Sequence, residues 1–178
     1  MYVPPEFRVM STPSEVSPPQ DPLAPVLGRV ASGVFILTVG DGQGNETGML
    51  ASWVQQAGFD PPAVTVAVNR DRWWRPWLDA HPRMALSIVA STQKDMLRHF
   101  GKGFAKDEPA FANLEIARGS TGLPLLARSI GTLEGKIVSR MDSGDHEICL
   151  VQIESATSGS LLEGDTPMVH IRKSGLRY

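Results

Sequence analysis

Asp145-His146-Glu147 is the one triplet in this chain that sets an imidazole between two carboxylates. Such a triplet could ligate a metal in principle. It opens an alternating segment, however, and neighbouring strand residues point to opposite faces, which separates the side chains. His81, His99 and His170 are scattered, and no two histidines have helical i, i+4 spacing with a Glu between. No metal site is expected. His146 is instead the polar residue to place near a substrate, weighed against a solvent-facing strand histidine.

Other chemistries find little support. Ser32 lies in Ala31-Ser32-Gly33, which is not a nucleophile elbow. The glycines of Asp41-Gly42-Gln43-Gly44-Asn45 have no Gly-Lys-Ser/Thr after them and read as a hairpin turn, not a phosphate loop. An enzyme built from this chain would therefore leave the chemistry to a bound cofactor. Three stretches could hold one. Gly48, Ala51 and Ser52 are small residues beside Trp53, and small residues let a flat ligand approach backbone N–H and C=O groups. Phe100-Gly101-Lys102-Gly103-Phe104 carries one cation between two aromatics. Arg70 to Ala80 interleaves Arg70, Arg72 and Arg75 with three tryptophans. That run suits an interface or a pocket wall, with an arginine meeting a ligand phosphate.

Composition narrows the class. A length of 178 residues gives one domain, or one domain with a tail, and 42% hydrophobic against 20% charged residues is ordinary for a soluble globular chain. A net charge of -2 argues against a nucleic-acid surface. The single cysteine, Cys149, excludes an internal disulfide framework and a Cys-based zinc site. No apolar run reaches the roughly 20 residues of a membrane span, and no secretory signal opens the chain. A cytoplasmic setting, or the interior of an organelle, is expected.

The elements that must position these residues follow from pattern. Residues 1–25, rich in Pro, Ser and acidic side chains, read as a linker or arm, and 26–178 as the folded domain. A short helix is expected within Leu23 to Ala31. Gly33 to Val39 reads as a buried strand. Gly48 to Gln56 alternates as one strand, and Ala63 to Val68 follows across a Pro-Gly turn. Arg83 to Ala90 is a strand. Ser91-Thr92 suggests an N-cap for a helix over 93–100, and Asp107 to Ala112 a helical turn. Ser129 to Met141 and His146 to Thr157 flank a turn sequence and form a long hairpin. Pro167 to Arg172 gives a last strand. Strands without regular helix alternation indicate a mainly β antiparallel barrel with peripheral helices.

Taken together, residues 28–39, 48–68, 97–114 and 124–153 resemble the flavin reductase-like family, the FMN-binding split β-barrels. More narrowly, MLASWVQQAGFDPP, SRMDSGDH and VHIRKSGLRY are similar to the C-terminal flavin reductase module of cyanobacterial and plastid flavodiiron (diflavin) proteins. The resemblance implies a homodimer with FMN, or FAD, near the subunit interface. It assigns flavin contacts to Met49, Leu50, Ala51, Ser52, Trp53 and Gln55. It puts Asn69 and Arg70 toward the ribityl-phosphate end, and Phe100, Lys102 and Phe104 on a loop at the flavin. Gly144, Asp145 and His146 match a GDH motif whose histidine lies near the nicotinamide. Residues 172–178 would complete the partner subunit's pocket. Gln55 and Gln56 stand where many reductases carry a second Ser or Thr, and Trp53 is larger than usual there.

The implied activity is hydride transfer from NADH or NADPH to N5 of a bound flavin. That requires nicotinamide and flavin stacked at roughly 3–3.5 Å with water excluded. Electrons would pass to a second flavin or a diiron site, in flavodoxin-like and diiron domains of the same or another chain. The setting would be cytoplasm or plastid stroma. Two rivals remain open: a non-enzymatic FMN-binding electron-relay module, and an interaction domain that binds no flavin.

Overall fold

Alternating segments dominate the chain, and they assemble into one curved antiparallel sheet. The computed structural model describes residues 21–176. In order, the elements are α1 (Leu23–Leu27), β1 (Ser32–Gly33), β2 (Phe35–Gly40), β3 (Glu46–Ala51), β4 (Val54–Phe59), β5 (Pro62–Asn69) and α2 (Trp77–Ala80). There follow β6 (Arg83–Ile88), α3 (Lys94–Phe100), β7 (Ile116–Arg118), β8 (Pro124–Leu126), β9 (Gly131–Asp142), β10 (His146–Ser158) and β11 (Val169–His170).

Seven strands run in the order β3-β2-β6-β9-β10-β5-β4, each antiparallel to its neighbour. The two edge strands, β3 and β4, are consecutive in sequence, with only Ser52 and Trp53 between them. The sheet must therefore curl until its edges nearly meet, yet no ladder joins them. That is a barrel with a split, and the split falls at Ser52-Trp53.

The inward faces fill the barrel with Leu37, Val39, Val54, Val64, Val66, Val68, Met84, Leu86, Ile137 and Val151, all buried. Each such side chain contributes about 1.5–3 kcal/mol by leaving water. A second cluster, with Val34, Ile36, Val89, Met96, Phe100 and Leu126, packs α3 against the outside of the wall. The hairpin turn after β2 forms as its sequence predicts. Asp41 accepts hydrogen bonds from the backbone of Gln43 and Asn45, and Gly42 and Gly44 adopt positive φ.

Three expectations need correction, and one hairpin comes in addition. The continuous strand over 48–56 is two strands, because the chain crosses from one sheet edge to the other at Ser52-Trp53. The N-cap at Ser91-Thr92 does not form: α3 starts at Lys94 and Gln93 holds the cap position. Both hydroxyls are taken by distant residues, Ser91 by Thr166 and Thr92 by Asp165, while the Gln93 side chain accepts from the backbone of Ala90. The last strand shrinks to β11, paired with β1. The small β7–β8 hairpin carries little alternation and was not expected. Residues 1–20 of the expected arm lie outside the described residues. α1 begins at Leu23, inside the span assigned to that arm.

Candidate functional site

The β9–β10 turn and the β3–β4 corner build one end of the site. His146 is the first residue of β10 and pairs in register with Asn69, the last of β5. The residue is 5% exposed, so the solvent-facing alternative is out. Its ring lies 4.8 Å from that of Trp53, centroid to centroid, at 51°. The Arg172 guanidinium sits over the same indole at 4.8 Å, in cation–π range. Within its own chain Arg172 thus meets the Trp53 ring; residues 177–178 of the segment expected at a partner's pocket lie outside the described residues.

The tip of the hairpin is held by local bonds. Gly144, at φ 87°, donates its N–H to Asp142, and the Ser143 N–H and hydroxyl donate to the His146 carbonyl. Arg70 donates its backbone N–H to the Asp145 carbonyl and pairs with Asp142 at 2.8 Å. Asp145 is exposed and meets His146 Nδ1 at 2.9 Å. That hydrogen bond holds the Asp145 carboxyl below the usual carboxylate range. The Gly144 N–H, then Arg70, do the same for Asp142.

Ser52 is half-buried at the corner. Neither its backbone N–H, its carbonyl nor its hydroxyl has a hydrogen-bond partner among the described residues. Half-buried polar groups left this way suit a ligand that arrives with its own donors and acceptors. On β3, Met49 packs on the barrel core, Leu50 on the outer cluster, and Ala51 is buried. Gln55 falls beyond the corner and is exposed on β4, its carbonyl accepting from the Thr65 hydroxyl at 3.4 Å.

A third part comes from the loop after α3. Phe100 is 1% exposed and belongs to the outer core, where its ring meets Phe104 at 5.6 Å and Phe111 at 5.8 Å. A Cβ on Gly48 would stand 2.9 Å from the Phe100 ring and 2.8 Å from that of Phe111, so β3 needs glycine there. Lys102 is exposed, and Phe104 is half-buried. The Phe104 carbonyl accepts a 2.8 Å hydrogen bond from the Trp73 indole N–H. The Arg-Trp segment thus bridges the hairpin tip at Asn69 and the loop at Phe104.

The tryptophans of that segment serve the barrel. Trp74 is 3% exposed within the core, and Trp73 and Trp77 pack against it, their rings edge to face at 5.1 Å. Arg75 donates to both oxygens of buried Glu147, at 2.9 and 3.1 Å, and also pairs with Asp79. Arg140 reaches Asp79 at 2.6 Å and the Leu78 carbonyl at 2.5 Å. The sequence reading missed this network. Its signal was a carboxylate at the buried alternating positions Glu147-Cys149-Val151. A mainly apolar cavity of about 540 Å³ lies apart from the hairpin tip and is lined by Phe35, Val54, Val64, Leu133 and Ile153. None of the residues expected at the site lines it. Among the described residues no cluster of His, Cys, Asp or Glu could hold a metal ion, and no helix is long and apolar enough to cross a membrane.

These features define an antiparallel split barrel whose sheet edges part at the Ser52-Trp53 corner. The chain belongs to the flavin reductase-like family: the flavin reductase like domain matches residues 27–175. It is 35% identical to diflavin flavoprotein A 1 of Synechocystis sp., over 88% of this chain and 27% of that protein. A diflavin flavoprotein of Nostoc sp. is 31% identical over 96% of this chain and 30% of its own length. The chain therefore spans less than a third of these curated relatives. Among solved structures it is similar to the NADH:FAD oxidoreductase SgcE6 of Streptomyces globisporus, with TM-score 0.74, 28% identity, and 85% of this chain and 86% of that one covered. The same protein has been solved with NAD and FAD fragments, and that structure matches with TM-score 0.72 over 86% of this chain and 87% of its own.

Proposed function

We propose that this chain is an NAD(P)H-dependent flavin reductase domain. It would bind FMN, or FAD, and pass the electrons it receives to a second flavin or a diiron partner. The observation that carries the reading is the β3–β4 corner: half-buried Ser52 with its polar groups unengaged, beside Trp53 and buried His146. Small residues, open backbone groups and an aromatic plane fit a flat ring with polar edges. Family membership and the oxidoreductase SgcE6 support the same reading.

When bound, the flavin supplies acceptance of a hydride from NADH or NADPH and release of electrons one or two at a time. The chain's own residues bind, orient and shield. Ser52 and the backbone of residues 49–53 would hold the ring edge. Backbone N–H groups there would stabilise negative charge that builds up on reduction. His146, fixed by β10 pairing and by Asp145, would position the nicotinamide; no proton transfer is assigned to it. Met49, Leu50 and Trp53 exclude water. The GDH turn, with Gly144 at positive φ, sets the His146 ring against the corner. A homodimer is the expected assembly.

One observation favours the electron-relay alternative. Arg172 already covers the Trp53 ring beside His146, where a nicotinamide would lie. An anaerobic visible spectrum separates the two. Flavin absorption that bleaches within seconds of adding NADH or NADPH supports the reductase. Flavin absorption that stays oxidised with both selects the relay. A protein that binds neither FMN nor FAD refutes both.

A further inference from the structure

Met168 is the last buried anchor of the chain. Its carbonyl accepts from the Val34 N–H, and its own N–H donates to the Val89 carbonyl. Residues 169–176 beyond it form a strap that is held differently. β11 pairs with β1 over two residues, the Arg172 N–H donates to the Gly28 carbonyl at 2.9 Å, and the Gly175 N–H donates to the Ala24 carbonyl at 2.6 Å. Val169, Ile171 and Leu176 are exposed, and α1, along which the strap runs, buries no residue. Backbone bonds with so little apolar burial behind them open at low cost. The contact with α1 is close. A Cβ on Gly28 would stand 2.6 Å from the Arg172 carbonyl oxygen. Gly28 has φ -63° and ψ -21°, which any residue adopts, so the strap itself is what requires glycine there.

Arg172 carries the strap into the proposed site. Its guanidinium carbon lies 4.8 Å from the centroid of the Trp53 ring, and that ring lies 4.8 Å from the ring of His146. A cation over the indole takes up the electron-rich face that a flat ring would otherwise meet. An oxidised nicotinamide is itself positively charged, so it competes with the guanidinium for the same surroundings and is repelled by it.

We infer that residues 169–176 are a displaceable gate: Arg172 occupies the place of the nicotinamide ring beside Trp53 and His146, and the ring enters as the strap lifts from α1. This rests on the reductase reading above. The electron-relay reading instead keeps the cover in place.

The test compares flavin-loaded wild type, Arg172→Gln and Gly28→Ala. Calorimetry measures Kd for nicotinamide mononucleotide and, as a probe without the nicotinamide, AMP; no turnover is involved. Thermal unfolding confirms that the variants fold. Arg172→Gln should tighten the mononucleotide roughly two- to thirtyfold and leave AMP and FMN affinity unchanged. Gly28→Ala, which pushes the strap off α1 from outside the site, should tighten it in the same direction. In wild type, saturating mononucleotide should speed hydrogen exchange of the amides in 169–176. Weaker or unchanged mononucleotide binding in Arg172→Gln overturns the inference, as does protection of the strap by the ligand. Tighter FMN with unchanged mononucleotide overturns it as well, because the covered ring is then the flavin's. If the wild-type flavin stays oxidised with both NADH and NADPH, bleaching in Arg172→Gln upholds the gate, and no bleaching overturns it and selects the relay. A wild-type flavin that bleaches, with no change in mononucleotide binding in either variant, overturns the gate and leaves the reductase reading intact. A wild type that binds no flavin overturns both.

Discussion

Arg75 grips Glu147 through both carboxylate oxygens, at 2.9 and 3.1 Å, across 72 residues of sequence. Glu147 alternates with His146 on β10, so the strand presents the imidazole on one side and this carboxylate on the other. The pair fixes the Arg-Trp segment to the sheet that positions His146. Removing one partner of a buried pair leaves the other charge uncompensated. Glu147→Ala should therefore lower unfolding free energy by about 2–4 kcal/mol, read from urea denaturation at unchanged m-value. A loss below about 0.5 kcal/mol would show that the pair behaves like a surface ion pair.

His146→Ala should slow flavin reduction by NAD(P)H at least about tenfold while changing flavin affinity little, since the residue is proposed to orient the nicotinamide. Rapid anaerobic mixing reads the rate and fluorescence titration the affinity. Equal reduction rates in variant and wild type would remove His146 from the scheme.

Glu134 is 1% exposed and accepts hydrogen bonds from the Ser120 N–H and from the Thr121 N–H and hydroxyl, the N–H bonds being 3.1 and 2.8 Å. Burial alone would raise its pKa, but bonds from Thr121 and Ser120 outweigh it and hold the carboxyl below 4.5. A depressed folded-state pKa gives stability that is present above the unfolded value and lost as pH falls through the folded one. Below about pH 4.5 wild type should therefore lose Tm more steeply than Glu134→Gln. At pH 7 the variant should be less stable by about 1–3 kcal/mol. Parallel Tm–pH curves would contradict this.

Cys149 is fully buried, and burial followed by the Glu147 charge pushes its thiol up to about 11. The reactive form is the thiolate, so the folded protein should resist a thiol reagent at pH 8 and react fully once denatured. Stoichiometric labelling of the native protein within minutes would show that β10 opens readily.

Much of the barrel could be read from local patterns. The β9–β10 hairpin is declared by two alternating segments around Asp142-Ser143-Gly144-Asp145, and the Asp41–Asn45 turn by its glycines. Where a residue's best partner is distant, the reading failed. Ser91 and Thr92 have cap chemistry, yet Thr166 and Asp165, more than 70 positions away, bind their hydroxyls. Phe100, expected on a loop at the flavin, is the last residue of α3 and packs in the outer core against Gly48 of β3, a contact that no local pattern announces.

The sequence by itself determined the strand-rich class, the turn positions, the family and the short list of polar residues, because these depend on periodicity, turn chemistry and motif order within a few residues. Tertiary structure decided the rest. It split one alternating run at Ser52-Trp53, since a curled sheet must pass the chain from one edge to the other. It also gave three similar arginines different partners: Arg70 and Arg75 found carboxylates on β9 and β10, and Arg72 came to rest on Gly103. Which charge meets which is set by strand register across the sheet, and no local pattern in the chain encodes it.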